Sequence, residues 1–304
     1  MSRLPLDYLV YLAVRVAVCC VQAIPLSACR RAAGALATLC CDVLRLRREV
    51  IEDNLAIAYP TLSPAERRRM TWRMWEHLFL MVAEIAHAPR KLRRSTWRRY
   101  VRVRDLEGVV TALVARRPKV IVAGHYGNFE LSGYVLGLLG FPTFTVARTL
   151  DNPFLDRWIN GFRSATGQFM LPKHGSSADI DRLLEAGASL AVLGDQAAGP
   201  KGCWVDFFGR PASTHKAVAV FALANDAPLV VGYARRIGGP LEYEVGFEAI
   251  ADPRTLPASQ ATVPALTLWY SQQLEAIVRR APEQYWWVHR RWKGEPPRAK
   301  RKAA

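Results

Sequence analysis

From about Val101 the chain alternates short apolar runs with longer amphipathic ones, and this alternation restricts the fold more than any other feature. "VIVAG", "PTFTVA", "GQFML", "SLAVLG", "PLVVGYARR" and "LEYEVGF" read as strands. "NFELSGYVLGLLG", "PFLDRWINGFRSAT", "SADIDRLLEAG" and "STHKAVAVFALAND" read as helices between them. Apolar strands separated by helices need cover on both sides. The expected fold is therefore α/β, with a largely parallel central sheet flanked by helices and N-terminal membrane-associated helices ahead of it. The 304 residues suffice for one large α/β domain with accessory segments. The expected division is 1–48 as membrane-anchoring or interfacial helices, 49–100 as a helical accessory region, 101–293 as the α/β domain and 294–304 as a basic disordered tail. No repeat with a period of tens of residues runs through the chain, which excludes a solenoid.

The net charge of +16 points to anionic partners: nucleic acid, an anionic membrane surface, or an acidic protein or substrate. The N-terminal stretch discriminates among them. Tyr8 to Ile24 is apolar except for Arg15 and Gln22, Pro25 ends it, and a second apolar piece runs from Ala32 to Leu46. The first run is at the short limit for a bilayer span, and Arg15 at mid-membrane is costly, so a span and an interfacial helix with a snorkelling arginine both fit. Arg30, Arg31, Arg45, Arg47 and Arg48 then suit anionic headgroups and keep the rest of the chain on the cytoplasmic side. Five of the six cysteines lie in this stretch without C-x-x-C spacing, which speaks against a zinc site or a disulfide framework. In "SPAERRRMTWRMWEHLFLMVAEIAHAP", Ser63, Pro64 and Glu66 predict a capped helix start. Trp72, Trp75, Leu78, Phe79 and Val82, continued by Ile85 and Ala86, predict its apolar stripe. His77 and His87 read as structural.

Ligands of a parallel sheet bind at the carboxyl ends of its strands. His125 stands at such an end, directly after "VIVAG", in a turn with Gly124 and Gly127. Glu130 comes in the first turn of the next helix, where its carboxylate is expected to fold back on the imidazole. A carboxylate on one ring nitrogen fixes the tautomer and frees the other nitrogen to take a proton from a hydroxyl. No G-x-S-x-G elbow supports a serine nucleophile. His174, Asp195 and His215 are candidate metal ligands by residue type, but no ligand spacing joins them, and no metal or cofactor is expected.

"GHYGNFE" resembles the H-x4-D/E signature of membrane acyltransferases, in the wording of the late (lauroyl and myristoyl) acyltransferases of lipid A biosynthesis. "NLAIAYPTLSPAERRRMTWRMWEHLF", "VARTLDNPFLDRWINGFRSATG", "AVLGDQAAGPKGCWVDFFGRPAST" and "WWVHRRWK" are similar to further blocks of that family, in order, over roughly residues 50–293. One departure is that Ala197 and Ala198 come after Asp195 and Gln196 where a second acid often stands.

The resemblance implies transfer of a fatty acyl chain from acyl carrier protein, or from coenzyme A, to a hydroxyl of an acylated glucosamine lipid at the cytoplasmic face of the bacterial inner membrane. It implies His125 as base with Glu130 orienting it. Arg148 and Arg163 would be phosphate-binding residues, Asp195 would steady an arginine or bind the acceptor sugar, and Asn128 and Thr214 would complete the substrate contacts. "FFGRPAST" is expected to place Ser213 and Thr214 at a helix N-terminus. Acyl carrier protein, anionic lipids and a glycolipid acceptor are the implied partners. The alternatives are acylation of another glycolipid, such as a phosphatidylinositol mannoside, or of a lysophospholipid from acyl-coenzyme A. A non-catalytic basic protein binding membrane or nucleic acid is the rival of another class, and no nucleic-acid-binding signature supports the second form.

Overall fold

A computed structural model describes residues 4–172 and 175–297. His174 and most of the basic tail lie outside the described residues. The N-terminal third is helical: α1 (Leu4–Ala23), α2 (Leu26–Thr38) running into a π-helical turn (Leu39–Val43), α3 (Arg48–Ala58) and α4 (Pro64–Lys91). None of the residues of α1 is buried, and by length and composition the helix is long and apolar enough to cross a bilayer. Arg15 is exposed but has protein partners: it donates to the Tyr11 hydroxyl at 2.7 Å and lies 5.4 Å from the Trp158 ring.

The start of α4 is as expected, with Ser63 and Glu66 in a reciprocal capping box and Pro64 in the first turn. Its buried face differs from the expected stripe. Met74, His77, Met81, Glu84 and Ala88 face inward at helical spacing, Trp72 and Trp75 lie on the flank, and Val82 is exposed. Three polar residues, His77, Glu84 and His87, are buried on α4 with hydrogen-bond partners, so an apolar pattern alone rotates the helix away from its true orientation.

Seven strands form the main sheet in the order β1-β9-β8-β2-β5-β3-β4, where β1 is Val101–Val103, β2 Lys119–Ala123, β3 Thr143–Ala147, β4 Gln168–Pro172, β5 Ser189–Leu193, β8 Leu229–Arg236 and β9 Tyr243–Ala251. All neighbours pair in parallel except β8 with β9. Alternate residues of the central strands face two cores. Val120, Val122, Leu229 and Val231 pack towards α8 (Ser177–Glu185), α9 (Ala217–Ala224) and α10 (Val263–Arg280). Ile121 and Val230 pack towards α5 (Leu106–Val114) and α6 (Phe129–Leu138). α7 (Pro153–Ser164) joins the α6 side through Phe162 on Tyr134, with rings 5.3 Å apart.

A hairpin of β6 (Cys203–Phe207) and β7 (Arg210–Thr214) was not expected. Its two-residue turn, Phe208–Gly209, has φ of 54° and 73°, the left-handed pair that a tight hairpin requires. Ser213 and Thr214 therefore end a strand rather than open a helix, and the helix expected from Ser213 begins at Ala217.

Candidate active site

The chain runs from β2 outward to β3 and β4 and then returns, so β5 lies between β2 and β3. β2 and β5 are parallel neighbours in the register Ala123↔Leu193. Two residues beyond each of these lie His125 and Asp195, at the same level on adjacent strands. His125 Nδ1–H donates to Asp195 Oδ1 at 2.8 Å, and the His125 backbone N–H donates to Oδ2 at 2.8 Å. With Nδ1–H committed to the carboxylate, Nε2 presents its lone pair and receives the Gln196 side-chain amide at 3.2 Å.

The carboxylate holding the imidazole is therefore Asp195, not the Glu130 expected from the H-x4-E spacing. Asn128 caps α6, which places Glu130 in its first turn facing α7. There Arg163 grips it with two bonds, Nε to Oε2 at 2.9 Å and Nη2 to Oε1 at 2.5 Å. A spacing within one strand-turn-helix unit fixes where Glu130 starts, but a helix of the next crossover decides what it meets.

The His125 ring packs against both Phe129 and Trp286, each centroid 5.0 Å away, in a three-ring cluster. Burial alone would push its pKa down. The Asp195 charge and hydrogen bond, with Glu130 behind them, outweigh this and raise it above the ordinary histidine value. Asp195 is buried, which by itself would raise its pKa, yet His125 and the more distant Arg291 charge hold it below the usual carboxylate range.

His125, Glu130, Arg163 and Gln196 line one cavity of about 570 Å³. Thr145 and Val146, consecutive residues of β3 facing opposite sides of the sheet, both line it, so the cavity straddles the carboxyl edge of the sheet. Arg148 also lines it; its side chain is exposed and paired with Asp151 at 2.9 Å.

Two expected substrate-binding residues are placed elsewhere. Asn128 is fully buried: its Oδ1 accepts from Leu131 N–H at 3.2 Å and its Nδ2 donates to Glu84 at 3.5 Å, so it is a helix cap. Thr214 is 1% exposed and its hydroxyl accepts from Arg291 Nη2 at 2.7 Å, which removes it from the cavity wall. "WWVHRRWK" is a packed segment: Trp287 and Arg291 are buried, Arg291 also binds the Ser213 carbonyl, and His289 Nε2 accepts the Ala197 N–H at 3.1 Å, bracing the turn after Asp195. Sequence reading missed Gln196 and Trp286 as neighbours of His125. Only the position of Gln196 directly after Asp195 offered a signal. Among the described residues, no group of three or more histidine, cysteine or acidic side chains is arranged to hold a metal ion.

A pair made of a buried carboxylate and an imidazole with a presented lone pair can take a proton from a hydroxyl at the mouth of the cavity. A family model for bacterial lipid A biosynthesis acyltransferases matches residues 1–294. The lipid A biosynthesis lauroyltransferase of Escherichia coli (strain K12) is 25% identical over 268 residues, spanning 86% of this chain and 84% of that protein. The lipid A biosynthesis palmitoleoyltransferase of the same organism is 25% identical over 261 residues, spanning 83% and 81%. A lipid A biosynthesis acyltransferase of Shigella flexneri matches to the same extent. The chain belongs to the bacterial lipid A biosynthesis acyltransferase family and is an acyltransferase.

Proposed function

We propose that this protein transfers a fatty acyl chain from an acyl carrier protein thioester to a hydroxyl of a lipid A precursor, at the cytoplasmic face of the bacterial inner membrane. The observation that carries the chemistry is the 2.8 Å bond from His125 Nδ1–H to Asp195, which leaves Nε2 as the base in a cavity-lining side chain. The acceptor hydroxyl displaces the Gln196 amide and gives its proton to Nε2 as its oxygen attacks the thioester carbonyl. The tetrahedral intermediate then collapses, an ester forms, and the proton held on His125 leaves with the thiol. Asp195 orients the ring and stabilises the imidazolium. Glu130, held by Arg163, adds a second negative charge near it, which also favours the protonated form.

No serine or cysteine nucleophile enters this scheme, so donor and acceptor occupy the cavity together. Exposed Arg148 and the surplus of positive charge suit an acidic carrier or the acceptor's phosphates. The test is steady-state kinetics of purified protein in detergent with a lipid A precursor, using a carrier-protein thioester in one series and acyl-coenzyme A in the other. Intersecting double-reciprocal lines and preference for the carrier-protein donor are expected. Parallel lines would overturn direct transfer, and efficient use of coenzyme A alone would overturn the donor.

A further inference from the structure

The turn that carries His125 is gripped from behind by a buried polar chain that the transfer scheme does not use. His77, on the inner face of α4, lies with Nε2 3.0 Å from the Gly127 carbonyl and Nδ1 2.7 Å from Arg236 Nη1. A guanidinium only donates, so Nδ1 accepts and Nε2 carries the proton that Gly127 receives. Arg236, on β8, is itself fixed by Glu84 of α4 through Nε at 2.9 Å and Nη2 at 2.7 Å. Glu84 is wholly buried and also accepts from the Leu241 N–H and the Tyr243 hydroxyl.

Gly127 has little freedom of its own. Its φ is +58°, its N–H is bonded to the Gln284 carbonyl at 2.9 Å, and a side chain on it would collide with the Ala234 carbonyl. The imidazole of His77 thus adds a third hold on a turn already bonded to β8 and to the C-terminal segment.

We infer that His77 is a positioning residue for the transfer reaction: acting through the Gly127 carbonyl, it sets the turn so that His125 is seated on Asp195. This inference rests on the acyl-transfer function proposed for the site. His77 is unsuited to proton transfer itself, because burial and the adjacent Arg236 charge keep it neutral, with a pKa well below that of an ordinary histidine. The charged or titratable groups around His125 are Asp195 after β5, Glu130 on α6 and His289 on the C-terminal segment, the last with a pKa lowered by burial. His77 touches none of these, so it affects the titration of His125 only by moving the turn.

A cleft of about 470 Å³, lined by Trp72, Glu76, His77 and Arg236 among others, reaches this imidazole from the surface. That opening allows chemical rescue. The experiment compares wild type, His77→Ala and His77→Gln in the transfer assay between about pH 5.5 and 9, with and without free imidazole, alongside an NMR titration of the His125 ring. The expected result for His77→Ala is a roughly 10- to 100-fold lower kcat with KM little changed, and a His125 pKa and acidic rate limb moved to lower pH. Imidazole entering the cleft, or the glutamine in His77→Gln, should restore most of the rate by again donating to Gly127 and accepting from Arg236. Wild-type kcat in His77→Ala would overturn the inference, as would a lost rate with an unmoved His125 titration and no recovery. If the alanine variant does not fold, His77→Gln decides by the same two readouts: near wild-type values support the inference, and loss with an unmoved titration contradicts it. A wild-type protein that transfers no acyl group counts against the acyl-transfer function alone, and the His125 titration in the two variants then decides this one.

Discussion

His125 and Asp195 lie seventy positions apart in sequence and meet because two parallel strands end at the same level, each succeeded two residues later by one member of the pair. The position of His125 was legible in the sequence, since an apolar run ending in Gly-His marks a strand end. Its partner was not: the pairing of β2 with β5 is a tertiary fact, and Glu130, close in sequence, was the nearer carboxylate on paper. The consequence is a pH dependence with a definite sign. In the proposed transfer His125 serves as the base only when neutral, and its pKa is raised, so transfer should fall as pH drops through a value above that of an ordinary histidine. In Asp195→Asn the charge that raises the pKa is gone and burial dominates, so the acidic limb should move to lower pH. The plateau rate should fall by about 10²–10⁴-fold, because the tautomer is no longer fixed. A pH–rate profile of both proteins checks this, and an unmoved limb would show that Asp195 does not set the titration.

At the scale of elements, the alternation of strands and helices was legible wherever apolar runs had clean ends, while the β6–β7 hairpin was missed because its turn is Phe208–Gly209 rather than an Asn-Gly or Asp-Gly pair. Phe208 tolerates its left-handed φ because its ring packs on Phe207 and its N–H is held by Glu275 at 2.5 Å. The orientation of α4 was missed because its apolar stripe was followed alone, while the face that is buried also carries His77 and Glu84, both bonded to partners in the core. The strand-turn-helix unit of β2 and α6 carries its own test. A methyl group in Gly127→Ala would sit 1.8 Å from the Ala234 carbonyl oxygen, at a φ of +58°. Left-handed strain and overpacking together should cost roughly 2–6 kcal/mol. Thermal unfolding should show a clearly lowered midpoint, and an unchanged midpoint would mean that the turn adopts another conformation.

On the scale of the whole molecule, the helices that open the chain are tied to the site through α7. Asp7 accepts from the Asn152 side chain at 2.7 Å through its backbone carbonyl, Tyr8 packs on Phe154 with rings 5.2 Å apart, and Trp158 lies beside Arg15. The same helix bears Arg163, which holds Glu130 at the cavity. α7 therefore joins α1, a helix long and apolar enough to cross a bilayer, to the cavity that His125 lines. The apolar run and the strand-end histidine were both visible in the sequence, but their junction at α7 was beyond reach because it depends on packing between residues about 145 positions apart. In the proposed reaction His125 deprotonates the acceptor hydroxyl of a lipid A precursor. This step is tested most directly by mass spectrometry of the lipid products formed by wild type and by a folded His125→Ala variant from the same carrier-protein thioester. An added acyl mass with wild type that is lost or strongly reduced in the variant is the predicted result, and equal acylation by both proteins would contradict it.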